Sequence, residues 1–472
     1  MGLMPRILRP GIRRNARRPQ RPDRIMTARA AAAWPAGGLV RPSLGELSRA
    51  FLQIGLVSFG GATAQIAMMH ALAVEERRWI AEDRFLRALN LCMLLPGPEA
   101  QQLATYIGWH LHGVRGGLVA GGLFVLPGAA LMLALSLLYA LGTGLGVVDG
   151  LFFGIKAAVL AIVAQAVIKL SKRALKSRAF MALAAASFAA FAFVNAPFPF
   201  VIIAAALAGV LLAQKAAAGP AEREPPSTDA PAADRRRSSL TAVTGGLAAW
   251  WLPVGALALT LGADHVAVQL GLFFSKLAVV SFGGAYALLA WLADEAVGRG
   301  FVTTPEMIAG LGLAETTPGP TILVTQFVGF IAGWKQPGAL PPPVSAIVSA
   351  TITTWVTFAP SFLWIFAGAP WLDDLTRNRR LAGALQGVTA AVVGAISWLA
   401  LWFALNTVFR SAGFLEWGAL RLPRVAAADI DIAALGLAAL ALALTFALKR
   451  SMLEVIGLCA GLGIILRLTG LA

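Results

Sequence analysis

Long apolar runs separated by short polar or basic stretches set the character of this chain. Runs of about 20 apolar residues are what a membrane-spanning helix requires. Six occur in the first half, at 47–74, 85–111, 117–141, 150–170, 179–194 and 198–213. Residues 215–246 follow, rich in Pro, Ala and charge, and read as a disordered cytoplasmic linker. A single apolar segment at 247–263 then leads to six more, at 266–293, 307–334, 344–367, 381–405, 430–448 and 452–468. The pattern predicts an all-α polytopic membrane protein with one helix per segment. It lacks the short alternating strands of a membrane β-barrel.

The halves repeat one another. Ser58-Phe59-Gly60-Gly61 returns as Ser281-Phe282-Gly283-Gly284, and Pro96-Gly97-Pro98 as Pro318-Gly319-Pro320. Pro127 aligns with Pro360, and "GIKAAV" from Gly154 with "GVTAAV" from Gly387. Such repeats fix an architecture. Residues 44–214 and 264–472 form the two copies, with 1–43 a disordered basic extension. Six helices and one connecting helix make an odd number, so the copies are expected to be inverted in the membrane.

Charge agrees with this arrangement. The net charge is +16, yet the basic residues lie mainly in the N-terminal extension and in short loops, as the positive-inside rule expects. Lys169 to Arg178 follow the fourth segment of the first copy, whereas Arg377 to Arg380 follow the third segment of the second. That shift of parity is what inversion demands. Arg410, Arg421 and Arg424 then fall outside, against the rule. The distribution argues against a nucleic-acid partner. It places the N-terminus on the cytoplasmic side. The first forty residues lack the apolar core of a signal peptide, and Met26 is an alternative start. Cys92 and Cys459 sit in apolar runs, and the four histidines form no HExxH or CxxC pattern. Neither a metal nor a cofactor is expected.

The motifs interrupt apolar segments. Proline removes a helical N–H and clashes with the preceding turn, and the residue before it avoids the α region. Pro-Gly-Pro therefore ends one half-helix and starts another, whose N-terminal amides and dipole favour an anion. The segment is either a broken span or a re-entrant hairpin. The glycine pairs would let backbone approach a ligand, or simply let helices pack. Buried ionisable groups suggest function. Lys276 precedes the second SFGG, Lys156 lies within the fourth segment, and Glu99 follows the first Pro-Gly-Pro. The lysines would attract an anion, and Glu99 would cap a helix or carry a proton. Gln65, Gln101, Gln102, Thr105, Thr325 and Gln326 offer hydrogen bonds, and Glu315 is a further candidate.

"SFGGATAQIAMM", "LPGPEAQQLATYIGW", "GGLFVLPGAAL" and "TTPGPTILVTQFVGF" together resemble the chromate ion transporter family, in its long, two-domain form. The resemblance covers nearly everything from Leu44 onward. It implies export of chromate, a dianion like sulfate, across the bacterial inner (plasma) membrane, and chromate resistance. The motif residues it singles out are Ser58, Phe59, Gly60, Gly61, Gln65, Pro96, Gly97, Pro98 and Gln102. Their second-half counterparts are Ser281, Phe282, Gly283, Gly284, Pro318, Gly319 and Pro320. Ala62 stands where a proline often follows the glycine pair. A sulfate importer or exchanger is the nearest alternative. A lipid-modifying membrane enzyme is the more distant one, and it would need a polar cluster on one face. Partners are the anion and the bilayer, and a homodimer stays open.

Overall fold

The first apolar segment is not one helix. Ser43 caps α1 (Leu44–Val57) through a capping box with Glu46. The helix stops at the SFGG motif. The chain resumes as α2 (Gly61–His70), extended by a π-helical turn (Ala71–Glu76). Next come α3 (Glu82–Leu94), the Pro-Gly-Pro break, and α4 (Glu99–Gly142). The computed structural model describes residues 39–59, 61–142, 144–216, 232–281, 285–372, 378–418 and 420–471. Residues 1–38 of the basic extension, Gly60 and Phe282 to Gly284 therefore lie outside the described residues.

Hydrogen bonds show that both interrupted segments double back. Val40 N–H donates to Arg78 O at 3.0 Å, Arg41 to Leu111 O at 2.9 Å, and His112 Nε2 to Pro42 O at 2.8 Å. The start of α1, the α2–α3 connection and residues 111–112 thus share one end of the molecule. Helix α4 itself folds over at His112 and Gly113, whose φ values are −136° and +62°. Its arm 99–111 runs antiparallel to its arm 114–142. Gly117 accordingly sits against Thr105 O, and Gly108 against Gly116. The SFGG and Pro-Gly-Pro motifs are the tips of two hairpins with a common base.

The second copy does the same at the opposite end. Its hairpins are α9 (Val266–Val280) with α10 (Ala285–Gly298), and α11 (Thr304–Thr316) with α12 (Val324–Lys335). A 3-10 turn (Thr321–Leu323) opens α12, and α13 (Pro342–Gly368) follows it. Gln336 Nε2 donates to Gly300 O at 3.2 Å, Lys335 pairs with Glu306 at 2.9 Å, and His265 Nε2 donates to Pro337 O at 3.3 Å. Tyr139, late in the long arm of α4, packs edge-on against Phe327 of α12 at 5.3 Å. That arm therefore runs from the first base towards the second.

This answers the question left open between broken spans and hairpins. It also corrects the expectation of one membrane helix per apolar segment. At 13 residues and about 1.5 Å per residue, α3 and α11 are each about 20 Å long, short of a hydrocarbon core of about 30 Å. Cysteines placed at Arg77 and Val114 should label from one side of the membrane, and those at Gly298 and Ala339 from the other. Straight broken spans would put Arg77 opposite Val114, and that pattern would reject the hairpins.

The remaining helices are α5 (Gly146–Ala174), α6 (Arg178–Val194), α7 (Phe198–Ala216), α8 (Ala232–Leu261), α14 (Arg379–Val408), α15 (Ile432–Leu442) and α16 (Met452–Leu468). Helix α8 begins well before residue 247, so 232–246 is helical where the composition suggested linker. Ser239 and Trp371 anchor this stretch, with Ser239 Oγ donating to Ala367 O and Trp371 Nε1 to Ser239 Oγ. Residues 217–231 lie outside the described residues. A two-stranded hairpin, β1 (Gly413–Trp417) and β2 (Leu420–Arg424), pairs antiparallel between α14 and α15, with Trp417 opposite Leu420. It explains the misplaced Arg421, which stacks 3.9 Å from the centre of Phe414 and donates to Asn195 at 3.2 Å.

The copies are interlocked. Helix α5 packs along α15 and α16 of the second copy, α14 packs along α6 and α7 of the first, and α5 and α14 meet each other. Helices in lipid associate by close packing rather than by hydrophobic gain, so small residues mark their contacts. Gly154 lies against the Cys459 carbonyl, and Gly387, its repeat partner, against the Ala205 carbonyl.

Candidate functional site

The four hairpin tips converge and exchange backbone hydrogen bonds. Gly97 N–H donates to Ser281 O at 2.9 Å, and Gly319 N–H donates to Ser58 O at 3.0 Å. Each Pro-Gly-Pro tip is thus tied to the SFGG tip of the other copy. This reciprocity is that of an isologous, two-fold-like contact. The glycines are required by conformation. Gly97 has φ +122° and Gly319 φ +99°, where an L side chain is strained.

Each tip also rests on the third segment of the other copy, one residue past its proline. Gly97 lies against Ser361, after Pro360, and Gly319 against Gly128, after Pro127. Sequence reasoning aligned the two prolines and stopped one position short of these residues. Their difference makes the tips unequal, because a hydroxyl faces the first and a bare Cα the second. Ser361 Oγ and Ser58 Oγ are both buried without a hydrogen-bond partner. A buried hydroxyl left so is costly, and it marks a place to look for a ligand.

Glutamines complete the shell. Gln65 Nε2 donates to Gly319 O at 2.6 Å, Gln102 Nε2 to Pro96 O at 2.7 Å, and Gln326 Nε2 to Ala129 O at 2.9 Å. Gln101 Nε2 reaches Thr105 Oγ1 at 3.1 Å, and Thr357 Oγ1 donates to Thr325 Oγ1 at 3.3 Å. The first bond in the α4 ladder, Gln102 N–H to Pro98 O at 3.0 Å, leaves the amides of Glu99, Ala100 and Gln101 outside it. They form a helix N-terminus beneath the first tip, and Ala100 and Gln101 are buried there.

The structure therefore brings together Ser58, Gln65, Pro96, Gly97, Pro98, Gln102, Ser281, Pro318, Gly319 and Pro320. Glu99 adjoins them, half-buried, and Arg173 from the end of α5 lies electrostatically close to it while donating to Met93 Sδ at 2.9 Å. Arg173 was not singled out from the sequence, and its repeat partner is the neutral Asn406. Gly61 starts α2 with φ +76°, and Phe59 is partly exposed. The two lysines lie elsewhere. Lys156 is half-buried on α5 within electrostatic reach of Arg467 on α16. Lys276 is exposed, its ammonium 5.7 Å from the Trp291 ring centre. Gly60, Gly283 and Gly284 fall outside the described residues.

Opposed hairpins with broken tips meeting inside a helical bundle define a multi-pass membrane transporter built from internal repeats. The comparisons narrow the class, and the chain belongs to the chromate transporter family, whose sequence model matches residues 45–210 and 268–464. A chromate transport protein of Pseudomonas aeruginosa is 32% identical over 74% of this chain and 79% of its own length. A probable chromate transport protein of Synechococcus elongatus is 30% identical over 75% of this chain and 83% of its own. A chromate transport protein of Cupriavidus metallidurans is 27% identical over 75% and 81%. No solved structure matches. The family is one of transporters, not enzymes.

Proposed function

We propose that this chain exports chromate across the bacterial inner membrane and so confers chromate resistance. The observation that carries the reading is the exchange of tip amides, Gly97 to Ser281 and Gly319 to Ser58. An oxyanion offers acceptors that replace those serine carbonyls as a tip pair parts. It then faces glycine amides, helix N-termini and the free hydroxyls of Ser58 and Ser361, a polar setting that holds a dianion without a fixed cation. Binding of this kind is reversible, as transport needs.

Repeats at 44–214 and 264–472 joined through α8 support alternating access, in which one pair of hairpins opens to each side. With the hairpins returning to their own base, each copy crosses the membrane four times and α8 once. The sum stays odd, so inversion and a cytoplasmic N-terminus survive the change in helix count. The energetics favour efflux. A charge leaving a negative interior gains about 2.3 kcal/mol per 100 mV, and a dianion about twice that.

Everted vesicles containing the protein should accumulate radiolabelled chromate, and sulfate should compete weakly. Brisk sulfate uptake without chromate uptake would replace the substrate. Uptake into right-side-out vesicles alone would reverse the direction.

A further inference from the structure

Two adjoining cavities open near the second base, away from the tips. The larger, about 410 Å³, is lined by Lys276, Trp291, Asp294, Glu295 and Trp398. Its neighbour, about 400 Å³, shares Asn195, Asp294 and Glu295 and adds Arg299 and Arg421. Each is of the size that holds a small ligand. The β1–β2 hairpin stands beside them and reaches the α6–α7 loop through the Arg421–Asn195 bond of 3.2 Å.

The charges are unevenly matched. Arg299 is bound to Glu295 at 2.7 and 2.9 Å, which neutralises both. Lys276 has no carboxylate within ion-pair distance among the described residues, and it lies along Trp291 instead. Arg421 holds its guanidinium carbon over the Phe414 ring, 3.9 Å from its centre, and its Nε is buried without a partner. Two cations therefore face the joined cavity against one carboxylate, Asp294, on which Arg421 acts electrostatically.

We infer that this joined cavity is an anion-binding vestibule, in which Lys276 and Arg421 hold a tetrahedral dianion and Asp294 competes with it for them. The inference rests on the transport reading and adds a second station on the path. Focused positive potential raises the local concentration of an anion. A competing carboxylate keeps the affinity low enough for release. The Arg421–Asn195 bond couples occupancy to the β-hairpin, because an anion that recruits the guanidinium weakens its hold on the loop.

The test is equilibrium dialysis of the purified full chain, with chromate and, separately, radiolabelled sulfate. The proposal expects Lys276→Gln and Arg421→Gln each to weaken dianion binding about tenfold, the worth of one charge contact of roughly 1.4 kcal/mol. Asp294→Asn should tighten it several-fold. Wild-type affinity in both cation variants, or no tightening in Asp294→Asn, overturns the vestibule. A Gly97→Ala chain should lose transport and still bind a dianion here, so failure at the tips and failure here are told apart. Binding of sulfate but not chromate would correct the substrate and keep the site. Nanodiscs of zwitterionic and of anionic lipid should give equal affinities. Loss of binding in anionic lipid alone would assign the cavity to a phospholipid headgroup and reject the proposal.

Discussion

Gly97→Ala is expected to reduce transport by roughly a hundredfold or more while the protein still reaches the membrane. A Cβ at this position would lie 2.6 Å from Ser361 Oγ and 2.8 Å from Gln102 Nε2. It would also occupy φ +122°, a region costing an L residue about 1–3 kcal/mol. Relief of both requires the tip to shift, which breaks the Gly97–Ser281 bond. A loss of about 3 kcal/mol at the site corresponds to roughly two orders of magnitude in rate. Adding Ser361→Gly should recover little of the activity, since it removes one of the two contacts together with a hydroxyl that faces the anion, and leaves the Gln102 contact and the backbone strain. The measurement is initial uptake into everted vesicles, normalised to the amount of inserted protein. Wild-type uptake by Gly97→Ala would remove the tip from the mechanism.

The second large effect is on stability. Gly154→Leu should destabilise the assembled bundle by about 3 kcal/mol or more, because the new side chain meets the Cys459 backbone rather than a side chain that can turn away. Gly387→Leu should act alike, through the Ala205 carbonyl. Gly457→Leu, on α16 with nothing within 4 Å of its would-be Cβ, is the matched control and should be near neutral. Thermal unfolding in detergent, followed by size-exclusion chromatography, reads this out. Equal stability of Gly154→Leu and Gly457→Leu would show that the interlock carries little of the fold.

Much of this architecture is legible in the sequence, for identifiable reasons. The copied motifs give the repeat, and apolar run length gives the helical class. Proline chemistry predicts the half-helices on either side of Gly97. The doubling back of α1 with α2 and α3 with α4 is not legible in the same way. An apolar run with a glycine pair reads alike whether it crosses or returns. What decides is distant partners, such as Arg41 on Leu111 O and Gln336 on Gly300 O. The place of Lys276, away from the tips, is not legible for a related reason. Hydropathy sets its depth, but its face is the exposed stripe of Leu272 and Val279, seen only once α9 is packed. Ser361 was missed because a serine in an apolar run commonly bonds to its own helix. Only the proximity of Gly97 gives it meaning.

The interlock of α5 with α15 and α16, and of α14 with α6 and α7, bears on ancestry. A single copy cut from this molecule would leave its fourth segment without the neighbours it is shaped for, and its tips without carbonyls to hold. Such a unit would be complete only as half of an antiparallel, two-fold couple with its own twin. A gene duplication would then join the two members of such a couple on one thread without inventing the fold. Once joined, they were free to diverge, as Ser361 opposite Gly128 and Arg173 opposite Asn406 record.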